Sequence, residues 1–199
     1  AGFNGGTHMP FEDLALMRVI PDLTIIEPSD PVSLAAMIRA SAAHYGCVYL
    51  RLQRKAAPTI YPEGEKFEFG KAKLLREGKD VTLVSLGALM TGEALKAADL
   101  LAADGIKATV IDALSLKPLD SELILAHAKR TGKLVTCENH QITGGLGSAV
   151  SELLAETGTS LKFKRIGVQG LFGEVATQDW LAERFGLNAA AIVKAAKSL

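Results

Sequence analysis

Apolar and polar positions alternate between two patterns along the chain: short β-branched runs, and longer segments with helical spacing. Short apolar runs predict buried strands. Pro10 and Pro31 suit the first position of a helix, and Ser29 or Asp30 is the predicted N-cap of the second helix. The first part of the chain predicts a helix at 9–18, a strand at 23–27, a helix at 31–43 and a strand at 47–52. This order predicts an α/β unit with a parallel sheet.

Residues 58–80 interrupt this alternation, because prolines and glycines fall there among charged residues. They predict a linker with one short strand at 71–75. The linker separates a first predicted unit over 1–57 from a second α/β unit over 81–199. The predicted strands of the second unit are 81–85, 108–112, 134–137 and 163–168, and its predicted helices are 91–103, 121–131, 146–157, 178–185 and 189–198.

The chain begins in a glycine-rich loop without an initiating methionine. We therefore expect the first unit to lack its N-terminal portion. The alternative is that Gly6-Thr7-His8-Met9 is the remnant of an expression tag.

Composition narrows the possible partners. Lys+Arg and Asp+Glu both number 22, so the formal net charge is zero and no basic surplus favours nucleic acid or acidic membranes. No apolar run reaches the roughly 18–20 residues of a spanning helix, and the N-terminus lacks a signal-peptide pattern. Cys47 and Cys137 form no CxxC pair. These features predict a cytoplasmic protein with no nucleic-acid or membrane partner.

Three motifs are candidates for chemistry. Taken alone, Asn4-Gly5-Gly6-Thr7-His8 favours a turn that caps a helix over a ligand loop. Glu138-Asn139-His140 follows a strand and could be an acid–base cluster, but a solvated strand-end loop or a subunit contact is favoured. Gly144-Gly145-Leu146-Gly147 fails the dinucleotide pattern at Val150, which favours helix packing.

These three motifs and several others, taken in their order along the chain, resemble motifs of the transketolase family over essentially the whole chain. The resemblance implies the C-terminal part of a pyrimidine-binding, thiamine-diphosphate domain, followed by a transketolase C-terminal α/β domain with a mostly parallel sheet. The motifs are Gly6-Thr7-His8 with Pro10, Glu12 to Arg18, Pro28-Ser29-Asp30, Gly46 to Arg54, Ser115 to Asp120, Glu138-Asn139-His140 and Gly144 to Gly147.

The resemblance also implies site residues. His8 is similar to the family histidine that holds hydroxyls near the reacting carbons, so it is expected to bind substrate and assist catalysis. Arg54 is similar to the arginine that binds the substrate phosphate. Asn4 stands where sugar transketolases carry an aspartate that contacts a substrate hydroxyl. Arg51 is expected on the opposite face of the strand from Arg54, as a structural residue or ion-pair partner.

The family holds Mg²⁺ and diphosphate with a Gly-Asp-Gly motif that this sequence lacks, and its activating glutamate would lie before Ala1. The resemblance therefore implies that thiamine diphosphate and Mg²⁺ bind only to a complete assembly, and not to this chain alone. The implied partner is an N-terminal subunit with the diphosphate-binding domain, in a homodimer or a dimer of heterodimers.

The function that the resemblance implies is transfer of a two-carbon ketol unit between sugar phosphates. Deoxyxylulose-phosphate synthase chemistry remains an alternative, while the Gly-Gly-Thr-His loop and Arg54 disfavour a 2-oxo-acid dehydrogenase β subunit. A non-catalytic assembly module is the other alternative, because of Asn4 and the missing N-terminal half.

Overall fold

A computed structural model describes residues 5–199 of the chain. Within that range, no helix is both long and apolar enough to cross a membrane. The first unit contains a 3-10 turn (Gly5–Thr7), α1 (Asp13–Arg18), β1 (Thr24–Ile26), α2 (Pro31–Ala43) and β2 (Val48–Leu50). The rest contains β3 (Lys73–Arg76), β4 (Val81–Leu86), α3 (Gly87–Ala103), β5 (Ala108–Asp112), β6 (Ser115–Lys117), α4 (Ser121–Thr131), β7 (Lys133–Gln141), α5 (Leu146–Glu156), β8 (Lys162–Val168), α6 (Gln178–Arg184) and α7 (Ala189–Lys197).

The larger sheet has the strand order β3-β5-β4-β7-β8. Strands β5, β4, β7 and β8 are parallel, and β3 is an antiparallel edge strand. Every residue of β4 and β5 is buried, as in parallel strands covered on both faces. Strand β5 lies on one side of β4 and strand β7 lies on the other, so the direction in which the chain adds strands reverses at β4. The carboxyl ends of β4 and β7 therefore form the crevice where open α/β sheets usually bind ligands.

The smaller sheet joins the two units. Its order is β2-β1-β6, with β1 parallel to β2 and antiparallel to β6. Strand β6 comes from the second unit and was not predicted from the sequence, yet it pairs Lys117 with Ile25 of the first unit. The predicted α/β class with a mostly parallel sheet is confirmed.

The segment between the units packs closely against both of them. Asp30 caps α2 by accepting a hydrogen bond from the Ser33 amide at 2.7 Å. Its other carboxylate oxygen accepts from the amides of Ile60 and Tyr61, at 2.9 and 3.0 Å. The Tyr61 hydroxyl then donates to Asp112 at the end of β5, at 2.7 Å. Tyr61 is buried in a small core with Ile26, Met37 and Leu114.

Two predicted boundaries are wrong, for reasons visible in the backbone. Helix α1 begins at Asp13 rather than at residue 9, because the carbonyls of Pro10 and Phe11 accept from the Arg51 guanidinium and the Gln141 amide. Phe11 instead packs into the core, with its ring 5.2 Å from that of Phe185. Strand β7 extends to Gln141, well beyond the predicted end at residue 137. The other predicted helices and strands are present. Helices α2 and α4 and strand β5 have the predicted ends, and the rest have shifted ends, as in α3, which begins at Gly87 rather than at residue 91.

Candidate functional site

A cavity of about 790 Å³ opens where the N-terminal loop, the end of β2 and helix α6 meet. Both units contribute to its wall. The polar side chains that line it are His8, Asp13, Glu27, Tyr49, Arg51, Gln53, Arg54, Lys55, Asn139, Thr177, Gln178 and Asp179, and the apolar ones include Phe11, Leu89, Leu181, Phe185 and Leu187.

Two of the three predicted site residues line this cavity. His8 and Arg54 are both exposed, and they reach the cavity from separate segments of the first unit. Lys55 lies beside Arg54 in the same wall and was not singled out from the sequence. Asn4 lies outside the described residues. The substrate-binding roles of these residues remain predictions.

The glycines of the N-terminal loop allow its backbone to pack closely against a distant segment of the chain. The Gly6 amide donates to the carbonyl of Glu174 at 3.1 Å. A Cβ on Gly6 would lie 2.5 Å from the Cα of Gly173, and one on Gly173 would lie 2.5 Å from the Cα of Gly6. The glycines therefore bring the loop against residues 173–174, just before α6. Sequence reasoning missed the α6 wall, because the approach of Gly6 to Gly173 is visible only in the folded chain.

Arg51 is the centre of a buried polar network beside the cavity. Its side chain is 12% exposed. Its Nε lies 2.7 Å from Asp13 Oδ2, and its Nη1 lies 2.9 Å from Glu27 Oε1. Nη2 donates to the carbonyls of Pro10 and Asn139. Arg51 is therefore an ion-pair partner, as predicted.

The predicted orientation of Arg51 is wrong. Strand β2 ends at Leu50, so the alternation of side chains along a strand does not extend to Arg51 and Arg54. Both residues line the same cavity.

Burial and the neighbouring charges together shift the pKa values of the side chains in this network. Burial lowers the pKa of Arg51, but the charges of Glu27 and Asp13 outweigh it and raise the pKa overall. Burial raises the pKa of Glu27, and Arg51 offsets this only in part. Burial and the hydrogen bond to Asp13 raise the pKa of Tyr49 to about 12, so its hydroxyl is a neutral donor at 2.8 Å from Asp13 Oδ2. The network thus sets one guanidinium against two carboxylates.

Glu138 and His140 lie inside β7 and are fully buried, so the expected solvated loop is wrong. The Glu138 carboxylate accepts from the amides of Leu146 and Gly147 at the start of α5, at 2.7 and 2.8 Å. Burial outweighs these bonds and raises the pKa of Glu138 to about 7. The helix N-terminus, a common anion site, is therefore occupied by the protein's own side chain.

His140 is neutral and has a defined tautomer. Its Nε2 accepts from the Ala15 amide at 3.3 Å, so Nδ1 carries the proton and donates to the Gln141 carbonyl at 2.8 Å. Burial lowers the pKa of His140. Of the Glu138-Asn139-His140 motif, only Asn139 lines the cavity, so the motif is a packing element and not an acid–base cluster.

Several proteins are similar to this chain along nearly its whole length. The 6-deoxy-6-sulfo-D-fructose transketolase subunit of Clostridium sp. (strain MSTE9) is 48% identical over 98% of this chain and 60% of its own length. A putative transketolase C-terminal section of Methanocaldococcus jannaschii is 38% identical over 97% of this chain and 60% of its own length. The 1-deoxy-D-xylulose-5-phosphate synthase of Heliobacterium modesticaldum is 39% identical over 100% of this chain and 31% of its own.

A solved structure described as a split gene transketolase, inactive beta4 tetramer, superposes with a TM-score of 0.92 at 44% identity. It is matched over 97% of this chain and 63% of its own length, so the chain spans less than two thirds of these relatives. Family models of the transketolase pyrimidine binding domain and the transketolase C-terminal domain match residues 1–59 and 70–192. The chain belongs to the transketolase family.

Proposed function

We propose that this chain is the C-terminal subunit or section of a thiamine-diphosphate-dependent transketolase that transfers a two-carbon ketol unit between sugar phosphates. The observation that carries the proposal is the cavity of about 790 Å³ that His8 and Arg54 line together. Those are the two residues whose family counterparts bind the two ends of a sugar phosphate. Membership of the transketolase family supports the reaction class.

The two ends of the substrate would meet different groups. Arg54, with Lys55 beside it, presents cationic donors suited to a phosphate, and a guanidinium can bind two phosphate oxygens at once. His8 would hydrogen-bond the hydroxyls near the carbon–carbon bond that breaks. Asn4 would contact a further hydroxyl as a neutral amide.

Thiamine diphosphate would supply the nucleophilic carbon of this chemistry when bound. Mg²⁺ bound with diphosphate prefers carboxylate and carbonyl oxygens. Among residues 5–199, no group of three or more His, Cys, Asp or Glu side chains is arranged to hold a metal ion. We therefore assign no step to the metal or to the diphosphate. Their binding belongs, in this proposal, to a partner subunit with the diphosphate-binding domain.

The proposed assembly is a homodimer or a dimer of heterodimers in the cytoplasm. The relative titled an inactive beta4 tetramer supports a chain that needs a second subunit for activity. The test measures ketol transfer from a ketose phosphate to an aldose phosphate, with thiamine diphosphate and Mg²⁺, using this chain with and without the partner subunit. Transfer that requires both chains supports the proposal, and a stable assembly without transfer would favour a non-catalytic assembly module.

Two related activities are distinguished in the same assay. With pyruvate as donor, release of CO₂ and joining of the remaining two carbons to a three-carbon aldose phosphate, to form deoxyxylulose phosphate, would favour the synthase. The relatives named as that synthase support this alternative. Transfer from 6-deoxy-6-sulfofructose in preference to fructose 6-phosphate would favour a sulfosugar substrate. The 48% identity to the sulfofructose transketolase subunit supports that second candidate, since a sulfonate would also suit Arg54 and Lys55.

A further inference from the structure

Gln141, the last residue of β7, is held firmly by its backbone. Its amide donates to the Phe11 carbonyl at 2.8 Å, and the next amide along the chain, that of Ile142, donates to the Val168 carbonyl at 3.0 Å. Gln141 also pairs with Val168, the last residue of β8. It is therefore a fixed point at the carboxyl ends of two neighbouring parallel strands.

The side chain of Gln141 binds the segment that follows β8. Residues 169–177 form neither helix nor strand. The Gly170 amide donates to Gln141 Oε1 at 3.0 Å, and Gln141 Nε2 donates to the Leu171 carbonyl at 2.7 Å. One side-chain amide thus bonds an N–H and a carbonyl of adjacent residues, as a neighbouring strand would. Nε2 also donates to Glu12 Oε1 at 3.3 Å.

The segment that Gln141 binds also supports the loop of His8. The Gly6 amide donates to the Glu174 carbonyl at 3.1 Å, and the backbone of Gly173 lies too close to Gly6 to admit a side chain there. The constraint passes from Gly6 to His8 within one tight turn, because the His8 amide donates to the Gly5 carbonyl at 3.1 Å. A shift of residues 173–174 would therefore move His8.

His8 thus lies between two points that Gln141 holds. Phe11 is held directly, by the backbone amide of Gln141. Gly6 is held indirectly, through the segment after β8. Among residues 5–199, three hydrogen bonds join backbone atoms of 170–176 to another segment, and two of them are made by the Gln141 side chain. The third is the bond from the Gly6 amide.

We propose that Gln141 is a positioning residue, whose side chain holds residues 170–174 and, through them, the loop that carries His8. This inference rests on the proposed function, in which His8 hydrogen-bonds the hydroxyls near the carbon–carbon bond that breaks. A displacement of about 1 Å in such a group can cost about a hundredfold in rate. The effect of Gln141 should therefore appear in kcat, and not in recognition of the phosphate, which is the proposed role of Arg54.

The first test needs no catalytic activity. Amide hydrogen exchange is measured on the full chain at neutral pH, in a peptide that contains the Gly6 amide. Gln141→Ala removes both bonds to residues 170–171, so exchange at Gly6 should rise about ten- to a hundredfold. Gln141→Glu, of the same size, keeps the acceptor but loses the donor, so exchange should rise by a smaller factor. Gln169→Ala is the matched control, because this exposed glutamine bonds only the nearby Gly167 carbonyl, at 3.5 Å, and exchange should not change.

The second test is a double-mutant cycle in kcat, made in the complete enzyme with the partner subunit. Gln141→Ala should lower kcat about ten- to a hundredfold. The ratio of kcat/KM for phosphorylated and unphosphorylated acceptors should stay at the wild-type value. In an enzyme that already carries His8→Ala, the same substitution should change kcat by less than about threefold, because both residues act through one group. A residue that only stabilises the fold would lower kcat by the same factor in both backgrounds.

Each result decides the inference. Unchanged exchange at Gly6 in both Gln141 variants would overturn it, because the side chain would then not hold the loop. Raised exchange with equal losses of kcat in the two backgrounds would also overturn it and make Gln141 a structural residue. If the wild-type enzyme transfers no ketol unit, the proposed function is wrong, and exchange still decides whether Gln141 holds the loop of His8. Melting curves identify a variant that does not fold, and Gln141→Glu carries both tests if Gln141→Ala fails.

Discussion

Arg51 binds Asp13 through two nitrogens, with Nε 2.7 Å from Oδ2 and Nη2 3.2 Å from Oδ1. The same guanidinium reaches the carbonyl of Asn139 on β7 at 3.0 Å, so one side chain connects the first unit to the larger sheet. Both side chains of the pair are largely buried. The contact lies at the carboxyl ends of the parallel strands, where a doubly wound sheet would otherwise have an open crevice.

Replacement of Arg51 by alanine should lower the free energy of unfolding by about 3–5 kcal/mol, because Asp13 and Glu27 would remain buried without their cation. Arg51→Lys should recover only part of this, since an ammonium cannot reproduce the planar fork. The matched control is Arg76→Ala, whose partner Asp99 is 70% exposed. It should cost at most about 1 kcal/mol. Urea unfolding of the three variants measures the difference, and similar losses for Arg51→Ala and Arg76→Ala would contradict the account.

The sequence was informative about Arg51 only up to a point. Apolar runs, capping residues and prolines report local structure, and they correctly predicted helix α2 and the presence of the strands of the larger sheet. It could not show that Arg51 meets Asp13, Glu27 and Asn139, because those contacts depend on how distant segments pack. Strand β6 was missed for the same reason, since its three residues become a strand by pairing with β1.

The candidate site was predicted only in part, and by family resemblance rather than by pattern. That resemblance singled out His8 and Arg54, and the structure places both in one cavity. No pattern in the sequence identified Gln141, whose bonds to Gly170 and Leu171 are visible only in the folded chain. A helix was predicted at 178–185, but not its role as a wall of the cavity, because that role depends on docking against the loop at Gly6.

Two glycines should respond to alanine in opposite directions. At Gly145, a Cβ would lie 1.9 Å from Glu138 Oε2 and 2.8 Å from His140 Nδ1, so Gly145→Ala should destabilise by about 1–3 kcal/mol through overpacking. At Gly92, inside α3, a Cβ would meet nothing within 4 Å. Gly92→Ala should stabilise by roughly 0.5–1 kcal/mol. Thermal unfolding of both variants tests this, and a stabilised Gly145→Ala would show that the packing around Glu138 is looser than described.

Tyr61→Phe should destabilise the fold more at pH 8 than at pH 5. Burial raises the pKa of Asp112 to about 7 in the folded protein, so its stabilising contribution is present at low pH and is lost as the pH rises from about 4 to 7. The Tyr61 hydroxyl limits that loss by bonding the ionised form at 2.7 Å. Without it the pKa rises further, and the expected cost is about 1.5–3 kcal/mol at pH 8 and about 1 kcal/mol at pH 5.

Urea titrations of Tyr61→Phe at the two pH values provide the measurement. Tyr45→Phe is the control, because Tyr45 is fully exposed and should show no difference at either pH. A cost for Tyr61→Phe that does not change with pH would mean that Asp112 keeps one protonation state across this range.

Arg54→Ala should weaken the use of phosphorylated substrates by the assembled enzyme about ten- to a hundredfold, the value of one charge-assisted phosphate contact. Unphosphorylated acceptors should be affected little, since they have no group at that end of the cavity. Arg39→Ala, on the exposed surface of α2, is the control and should change neither class. The comparison is made in kcat/KM for matched substrate pairs. An equal loss for both classes would assign Arg54 to the structure of the cavity wall instead.

His8→Ala should lower kcat of the assembled enzyme by about 10²–10⁴-fold, the usual contribution of a positioned acid–base or hydrogen-bonding group. Its melting temperature should stay close to that of the wild type, because His8 is exposed in the cavity wall and its backbone bond to Gly5 does not depend on the side chain. His44→Ala is the control, because this exposed histidine contacts Phe69 and does not line the cavity. Measuring kcat and melting temperature on one preparation separates the two explanations. A normal kcat in a destabilised His8→Ala enzyme would remove His8 from the active site and leave Arg54 as the remaining predicted contact in the cavity.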